Sequence, residues 1–290
     1  MIDAHHHLWD LNAVNYPWLM EKGKRRFFGD PTPIQRNYLI DEHIKLANEL
    51  GFKGSVHIQV GAADGLEEAQ WINSVVNENQ SWPMVQVAFC DLSSDQRELH
   101  LDKLQKLSSV VGVRQIIGRS PAEDANSKTN ELLTSDNFMQ GLQSISDRGL
   151  TFDLQIIPEL LKTCASVFSQ FPNLQVILCH AGSPYNRTLG GIKSWADDLI
   201  HLSNLSNVSC KLSGLGMFDH NWTGSTVAPI VTTVMDQFGS KRVMFGSNFP
   251  VDSLSSSFEQ LFTRISSNID EKDFEDVFSK TAQRIYFSNF

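Results

Sequence analysis

Short apolar runs rich in β-branched residues recur along the chain. They alternate with segments whose apolar positions fall three or four residues apart. The runs are Ile2–Leu8, Ser55–Val60, Met84–Cys90, Val110–Ile117, Thr151–Ile157, Gln175–His180, Asn207–Ser213 and Arg242–Asn248. Between them Leu39/Ile44/Ala47/Leu50, Leu66/Ala69/Ile72/Val76, Leu132–Asp147, Leu160–Phe171, Ile192–Leu202 and Val227–Phe238 carry helical spacing, and a last helical pair, Phe258–Ile269 and Asp273–Tyr286, follows the eighth run. Strand and helix in strict alternation imply parallel strands joined by crossover helices. Eight such units without a Pro/Ser/Gly-rich linker or composition shift predict an α/β fold of one domain over residues 1–290, a TIM-like (β/α)8 barrel rather than an open doubly wound sheet. One connection breaks the rhythm. From 9 to 37 there is no clean helix, only Tyr16-Pro17-Trp18-Leu19, the cations Lys22, Lys24, Arg25 and Arg26, Phe27-Phe28, Pro31 and Pro33. In a barrel this loop follows the first strand and lies over the C-terminal face, where such enzymes carry their sites.

Polar residues gather at that same end of the strands. His5 and His7 alternate on the first strand and project together, while His6 points the other way. Surrounded by Ile2, Ala4, Leu8 and Trp9, they are no solvated tag. His57 and Gln59 share a parity on the second run, Arg114 sits on the fourth, and Asp153 and Gln155 on the fifth. His180 ends the sixth, Lys211 and Ser213 lie on the seventh, and Asn248 and Asp252 follow the eighth. A single strand histidine, or a Lys211–Asp153 pair, has a purely structural reading. So many polar groups at one end would be costly to bury unless they pair or bind something.

Composition narrows the partners. With 41% hydrophobic and 20% charged residues the chain is ordinary globular material. A net charge of −9 argues against nucleic acid or an anionic membrane as main partner. Cys90, Cys164, Cys179 and Cys210 show no CxxC spacing, and neither a leader nor a bilayer-spanning run is visible. The expectation is a reducing, cytoplasmic setting and a small-molecule substrate, with the oligomeric state left open.

The motifs Ile2-Asp3-Ala4-His5-His6-His7, Tyr16-Pro17-Trp18-Leu19, Gly112-Val113-Arg114, Leu178-Cys179-His180-Ala181-Gly182-Ser183-Pro184, Lys211-Leu212-Ser213-Gly214-Leu215 and Arg242-Val243-Met244-Phe245-Gly246-Ser247 occur in this order. Together they resemble the lactonase-type branch of the amidohydrolase superfamily, which includes L-fuconolactonase, 2-pyrone-4,6-dicarboxylate lactonase and 4-sulfomuconolactone hydrolase. The resemblance spans the whole chain. It implies a TIM-like barrel and hydrolysis of a cyclic ester, with His5, His7 and His180 as ligands of one divalent metal, zinc or manganese, or as groups that polarise a carbonyl with no metal. Two departures stand out. Gln155 occupies the strand-five position where metal-rich members have histidine, and no lysine suits carboxylation, so a binuclear centre is not expected. Asn248 replaces the usual strand-eight aspartate. An amide can orient water but cannot take its proton. The expected catalytic residues are His180, Asn248 and Asp252; His57, Gln59, Arg114, Gln155, Lys211 and Ser213 are candidates for substrate binding, and the Lys22–Arg26 loop for attracting an anion. Decarboxylation or amide cleavage on the same barrel, and a barrel that binds without turnover, are the alternatives.

Overall fold

Each of the eight apolar runs contains a strand in a computed structural model that describes residues 1–288. The strands are β1 (Asp3–His6), β2 (Ser55–Ile58), β3 (Met84–Ala88), β4 (Val110–Val113), β5 (Thr151–Leu154), β6 (Val176–Leu178), β7 (Val208–Leu212) and β8 (Val243–Phe245). They pair in parallel in the order β1 to β8, and helices such as Ile40–Glu49, Gly65–Glu78, Leu189–Ser203 and Gly224–Phe238 form the crossovers. This is a single-domain (β/α)8 barrel. The strands are shorter than the apolar runs because each run continues past its ladder into the loop that carries the site. Closure uses those extensions. Asn248 N–H donates to the His5 carbonyl and His7 N–H to the Phe249 carbonyl, both at 2.7 Å, while Asp3 accepts from the Ser247 N–H and hydroxyl at 2.8 and 2.6 Å.

Side chains of alternating strand positions fill the lumen, among them Ala4, Val56, Ile58, Val87, Ile177 and Met244. A second, larger apolar layer lies between strands and helices. One ion pair sits inside the barrel. Lys211 Nζ is 2.5 Å from Asp153 Oδ2, both are fully buried, and Tyr286 donates its hydroxyl to both oxygens of Asp153 at 2.7 and 3.0 Å. Removing one partner of such a pair costs about 3–5 kcal/mol, since it strands a buried charge. Tyr286 comes from the chain's last helix, which differs from the single helical run expected over Asp273–Tyr286. It is split into Glu271–Glu275, a π-turn at Asp276–Lys280 and Thr281–Tyr286. Within that turn the Phe278 carbonyl accepts from Ile2 N–H at 2.8 Å, tying the segment to the start of β1. A helix at Arg97–Leu104, which periodicity does not reveal, completes the β3–β4 crossover.

Candidate active site

Between Asp3 and His6 the pairing of β1 with β2 slips by one residue, for Asp3 aligns with Ser55 but His6 with His57. A bulge of this kind re-aims side chains. Ala4 stays in the lumen, His5 turns toward the C-terminal mouth, and His6 faces outward against His43, ring stacked on ring at 3.9 Å. His7 returns to the inner side, its ring centroid 5.1 Å from that of His5, and His180 lies 4.6 Å from His5. Two glycines make room. A Cβ at Gly246 would lie 2.5 Å from His5 Cβ, and one at Gly214 would lie 2.4 Å from His180 Nδ1. His180 (φ 56°) and Asn248 (φ 54°) both hold left-handed backbone, a conformation that non-glycine residues adopt rarely and that concentrates at functional sites.

His7, His180, Asn248, Gln59, Arg114 and Gln155 line one cavity of about 510 Å3 at the C-terminal end of the barrel. Trp18, Arg26, Phe27 and Phe28 bring the loop after β1 over it, and Phe89, Arg119, Leu132 and Met217 complete much of the wall. Arg114 donates from Nη1 to Gln155 Oε1 at 3.1 Å and from Nη2 to the Gln59 carbonyl. Gln59 returns a bond to the Arg114 carbonyl at 3.3 Å.

Four expected site residues sit elsewhere. His57 faces the helix layer, because Val56 and Ile58 take the lumen side. Its Nδ1 accepts from Leu8 N–H at 3.1 Å and its Nε2 lies 3.8 Å from Glu68. Gln59 has the same parity but follows the end of the ladder, so it turns inward. Lys211 lies in the lumen with Asp153 and does not reach the cavity wall. Ser213 stands behind His180, its hydroxyl 2.9 Å from Nδ1. Asp252 is buried behind Asn248, whose side-chain amide lies 3.0 Å from its Oδ1. Of the loop cations only Arg26 lines the cavity, where it forms a fork with Glu123 at 3.0 Å; Lys22, Lys24 and Arg25 face solvent. Arg119 was not foreseen, because one arginine in a loop carries no periodic signal.

Burial and neighbouring cations hold His5, His7 and His180 well below the usual histidine range, so the three are neutral bases. Burial pushes the Asp252 carboxyl up to about 7. Proton counting then links the chain His7–Asn248–Asp252. His7 Nδ1 lies 2.7 Å from the Ile58 carbonyl and must donate to it, and Nε2 faces Asn248 Oδ1 at 3.2 Å. With the amide oxygen toward Nε2, His7 needs a second proton. With the amide turned over, a neutral His7 accepts from Nδ2 and a protonated Asp252 donates to Oδ1, which agrees with both directions of shift.

The fold invites a metal ion, and the donor set can be tested. Both ring nitrogens of His5 are buried without a hydrogen-bond partner, and such orphans point to a missing partner. His180 is fixed through Nδ1 by Ser213, the orientation that a second shell gives a metal-ligating imidazole, whereas both nitrogens of His7 are engaged, by the Ile58 carbonyl and the Asn248 amide. Among the described residues, the three donors whose ligand atoms lie within 4.8 Å of one another are His5, Asp153 and Cys179. In that set Asp153 already neutralises Lys211, and burial pushes the Cys179 thiol up to about 12. A cation there would compete with the lysine ammonium. The ring nitrogens of His5, His7 and His180 do not come within that spacing of one another, and His5 does not line the cavity.

A parallel eight-stranded barrel with histidines at the C-terminal ends of its first and sixth strands has the architecture of a barrel enzyme with its site at that face. The amidohydrolase family model matches residues 2–287, and the chain belongs to that family. It is 31% identical to an uncharacterized protein of Sinorhizobium fredii over 99% of this chain and 98% of that one. It is 22% identical to the L-fucono-1,5-lactonase of Burkholderia multivorans, over 98% and 95% of the two chains. The crystal structure of a Burkholderia multivorans amidohydrolase with bound zinc superposes with a TM-score of 0.84 at 21% identity, covering 99% of this chain and 98% of that one. No helix among the described residues is long and apolar enough to cross a membrane.

Proposed function

We propose that this protein opens a small anionic lactone. The observation that carries the reading is the convergence of His7, His180 and Asn248 on the floor of one cavity, with Arg114 beside them. Water adds to the lactone carbonyl carbon, the ring C–O bond breaks, and the proton lost by water ends on the released oxygen, giving one hydroxy acid. Asn248 orients the water and cannot titrate. Neutral His180 takes the water proton and returns it to the leaving oxygen, with its ring held by Ser213. Asp252 acts through Asn248, because it does not line the cavity. Were zinc or manganese bound at the cavity floor, His5, His7 and His180 would hold it, His180 would then be a ligand and not the base, and the ion would polarise the carbonyl and lower the pKa of bound water to about 7. A lactone with an enol leaving group suits so weak a base better than an amide would.

Metal analysis of the purified protein, coupled to a lactone panel with and without added zinc or manganese, tests the proposal. Turnover of an anionic lactone is expected, with His180→Asn lowering kcat by about 10²–10⁴. If no lactone is opened under either metal condition, the reading fails.

A further inference from the structure

The cavity wall is unevenly supplied with hydrogen-bonding groups. Its apolar side presents Trp18, Phe27, Phe28, Phe89, Leu132 and Met217. Most of its polar side chains are already committed within the chain. The Trp18 indole donates to the Val60 carbonyl at 2.7 Å, and Thr129 donates to the Ile117 carbonyl at 2.8 Å. Gln115 accepts from Leu92 N–H and donates to Asp91, both at 2.9 Å. Gln59 accepts from Gly61 N–H at 2.9 Å while donating to Arg114, and the Arg26 charge is met by Glu123. Arg114, beside the histidines, keeps its Nε buried without a partner, and farther along the wall Gln155 and Arg119 hold donors that no described residue engages. Gln155 uses its oxygen for Arg114 and leaves Nε2 facing the cavity. The Arg119 guanidinium makes no hydrogen bond or ion pair with any described residue; only its backbone N–H is engaged, by Asp124.

We infer that the site takes a hydroxyl-poor, planar lactone carrying one carboxylate, with the ring against the aromatic side and the carboxylate on Arg119, and that polyhydroxylated sugar lactones are poor ligands. The assignment rests on the lactone reading for the reaction but not for the class of ligand. Hydroxyls turned toward Trp18, Phe27, Phe28 and Phe89 would lose their water with no partner in return. An apolar wall discriminates against one added hydroxyl by only about a hundredfold. Several hydroxyls at once should exceed that. A carboxylate on Arg119 gains a charge-assisted bond to a guanidinium that no described residue pairs with.

The test compares coumalate (2-pyrone-5-carboxylate), methyl coumalate and L-fucono-1,5-lactone as substrates. In parallel, calorimetry measures binding of 6-hydroxynicotinate, the lactam counterpart of coumalate, and of its methyl ester. Coumalate should exceed the sugar lactone at least about a hundredfold in kcat/KM. 6-Hydroxynicotinate should bind tighter than its ester, and Arg119→Gln should weaken it about ten- to a hundredfold and erase the preference for acid over ester. Arg119→Lys, which keeps the charge, should recover part of the loss. Faster opening of the sugar lactone overturns the inference while leaving lactone hydrolysis in place. Arg119-dependent binding of 6-hydroxynicotinate with no lactone opened supports the ligand class and removes the reaction. No binding of either pyridone, or binding that Arg119→Gln leaves unchanged, overturns it.

Discussion

Asn248 shows how one substitution in a motif reshapes a site. Its backbone is left-handed, its N–H holds β1 through the His5 carbonyl, and its amide stands between His7 and Asp252. An amide can face a base on one side and a protonated acid on the other, because it offers both a donor and an acceptor. A carboxylate cannot. Asn248→Asp would put two carboxyls within hydrogen-bonding distance, where they share one proton and resist losing it. A pair with raised pKa values contributes stability at low pH and loses it as pH rises. Urea unfolding of Asn248→Asp is therefore expected to show a loss relative to wild type on the order of 1–3 kcal/mol larger at pH 8 than at pH 5. An equal loss at both values would mean that residue 248 does not face the Asp252 carboxyl.

Elements differ in how plainly the sequence announces them. All eight strands are legible because parallel barrel strands are covered on both faces and read as continuous apolar runs. Helix Arg97–Leu104 is hidden, for it buries only Leu101 and Leu104 and leaves Leu99 54% exposed. Strand-end side chains are harder still. Parity places His57 beside Gln59, yet the ladder stops at Ile58 and the two diverge. The bulge in β1 likewise changes which residues face inward, and no residue type marks it. Loop packing is beyond periodicity altogether. The loop after β1 is held on one side by the Arg26–Glu123 fork, and on the other by Phe27 stacked on Phe218 at 5.4 Å and His220 bonded to the Phe28 carbonyl. The Arg26–Glu123 pair is mostly shielded, with side chains 18% and 26% exposed. Glu123→Ala should cost about 1 kcal/mol of stability or less. In a cycle of Arg26→Ala, Glu123→Ala and the double variant, coupling should be larger in ligand affinity than in stability, because the pair shapes the cavity wall. Equal coupling in both would reduce the pair to a surface tie.

For the molecule as a whole, the dominant electrostatic feature is the number of histidines kept neutral inside it. Burial holds His43 and His57 down at about 3, and His5, His6, His7 and His180 are also lowered. Between pH 6.5 and 3 the unfolded chain binds protons at these positions and the folded chain does not, so stability falls as pH falls through that window. Asp3, Glu68 and Asp252, raised to about 6, 7 and 7, act in the opposite sense, losing stability as pH rises through roughly 4–7. The histidines outnumber them, and below pH 4 Asp30, Asp91 and Glu123, whose hydrogen bonds outweigh any burial and hold them below the usual carboxylate range, add to the loss. His43→Gln should flatten the acid limb of stability against pH by one proton, about 1.4 kcal/mol per pH unit between 6.5 and 4. An unchanged slope in urea unfolding would show that His43 is charged in the folded protein. The seam between β1 and β8 has a consequence for biosynthesis. His7 and Asn248 meet across 241 positions, and Asp3 and Ser247 across 244. At about 5–20 residues per second, a ribosome takes roughly 12–50 s to supply the second half of this contact. Meanwhile the first strand waits with one edge unpaired, the state most open to association with other chains. The histidine pair thus waits for some 241 further residues before it finds its surroundings. A nascent chain released before residue 243 would carry no partial chemistry, because the floor of the cavity is assembled from strands far apart in the chain.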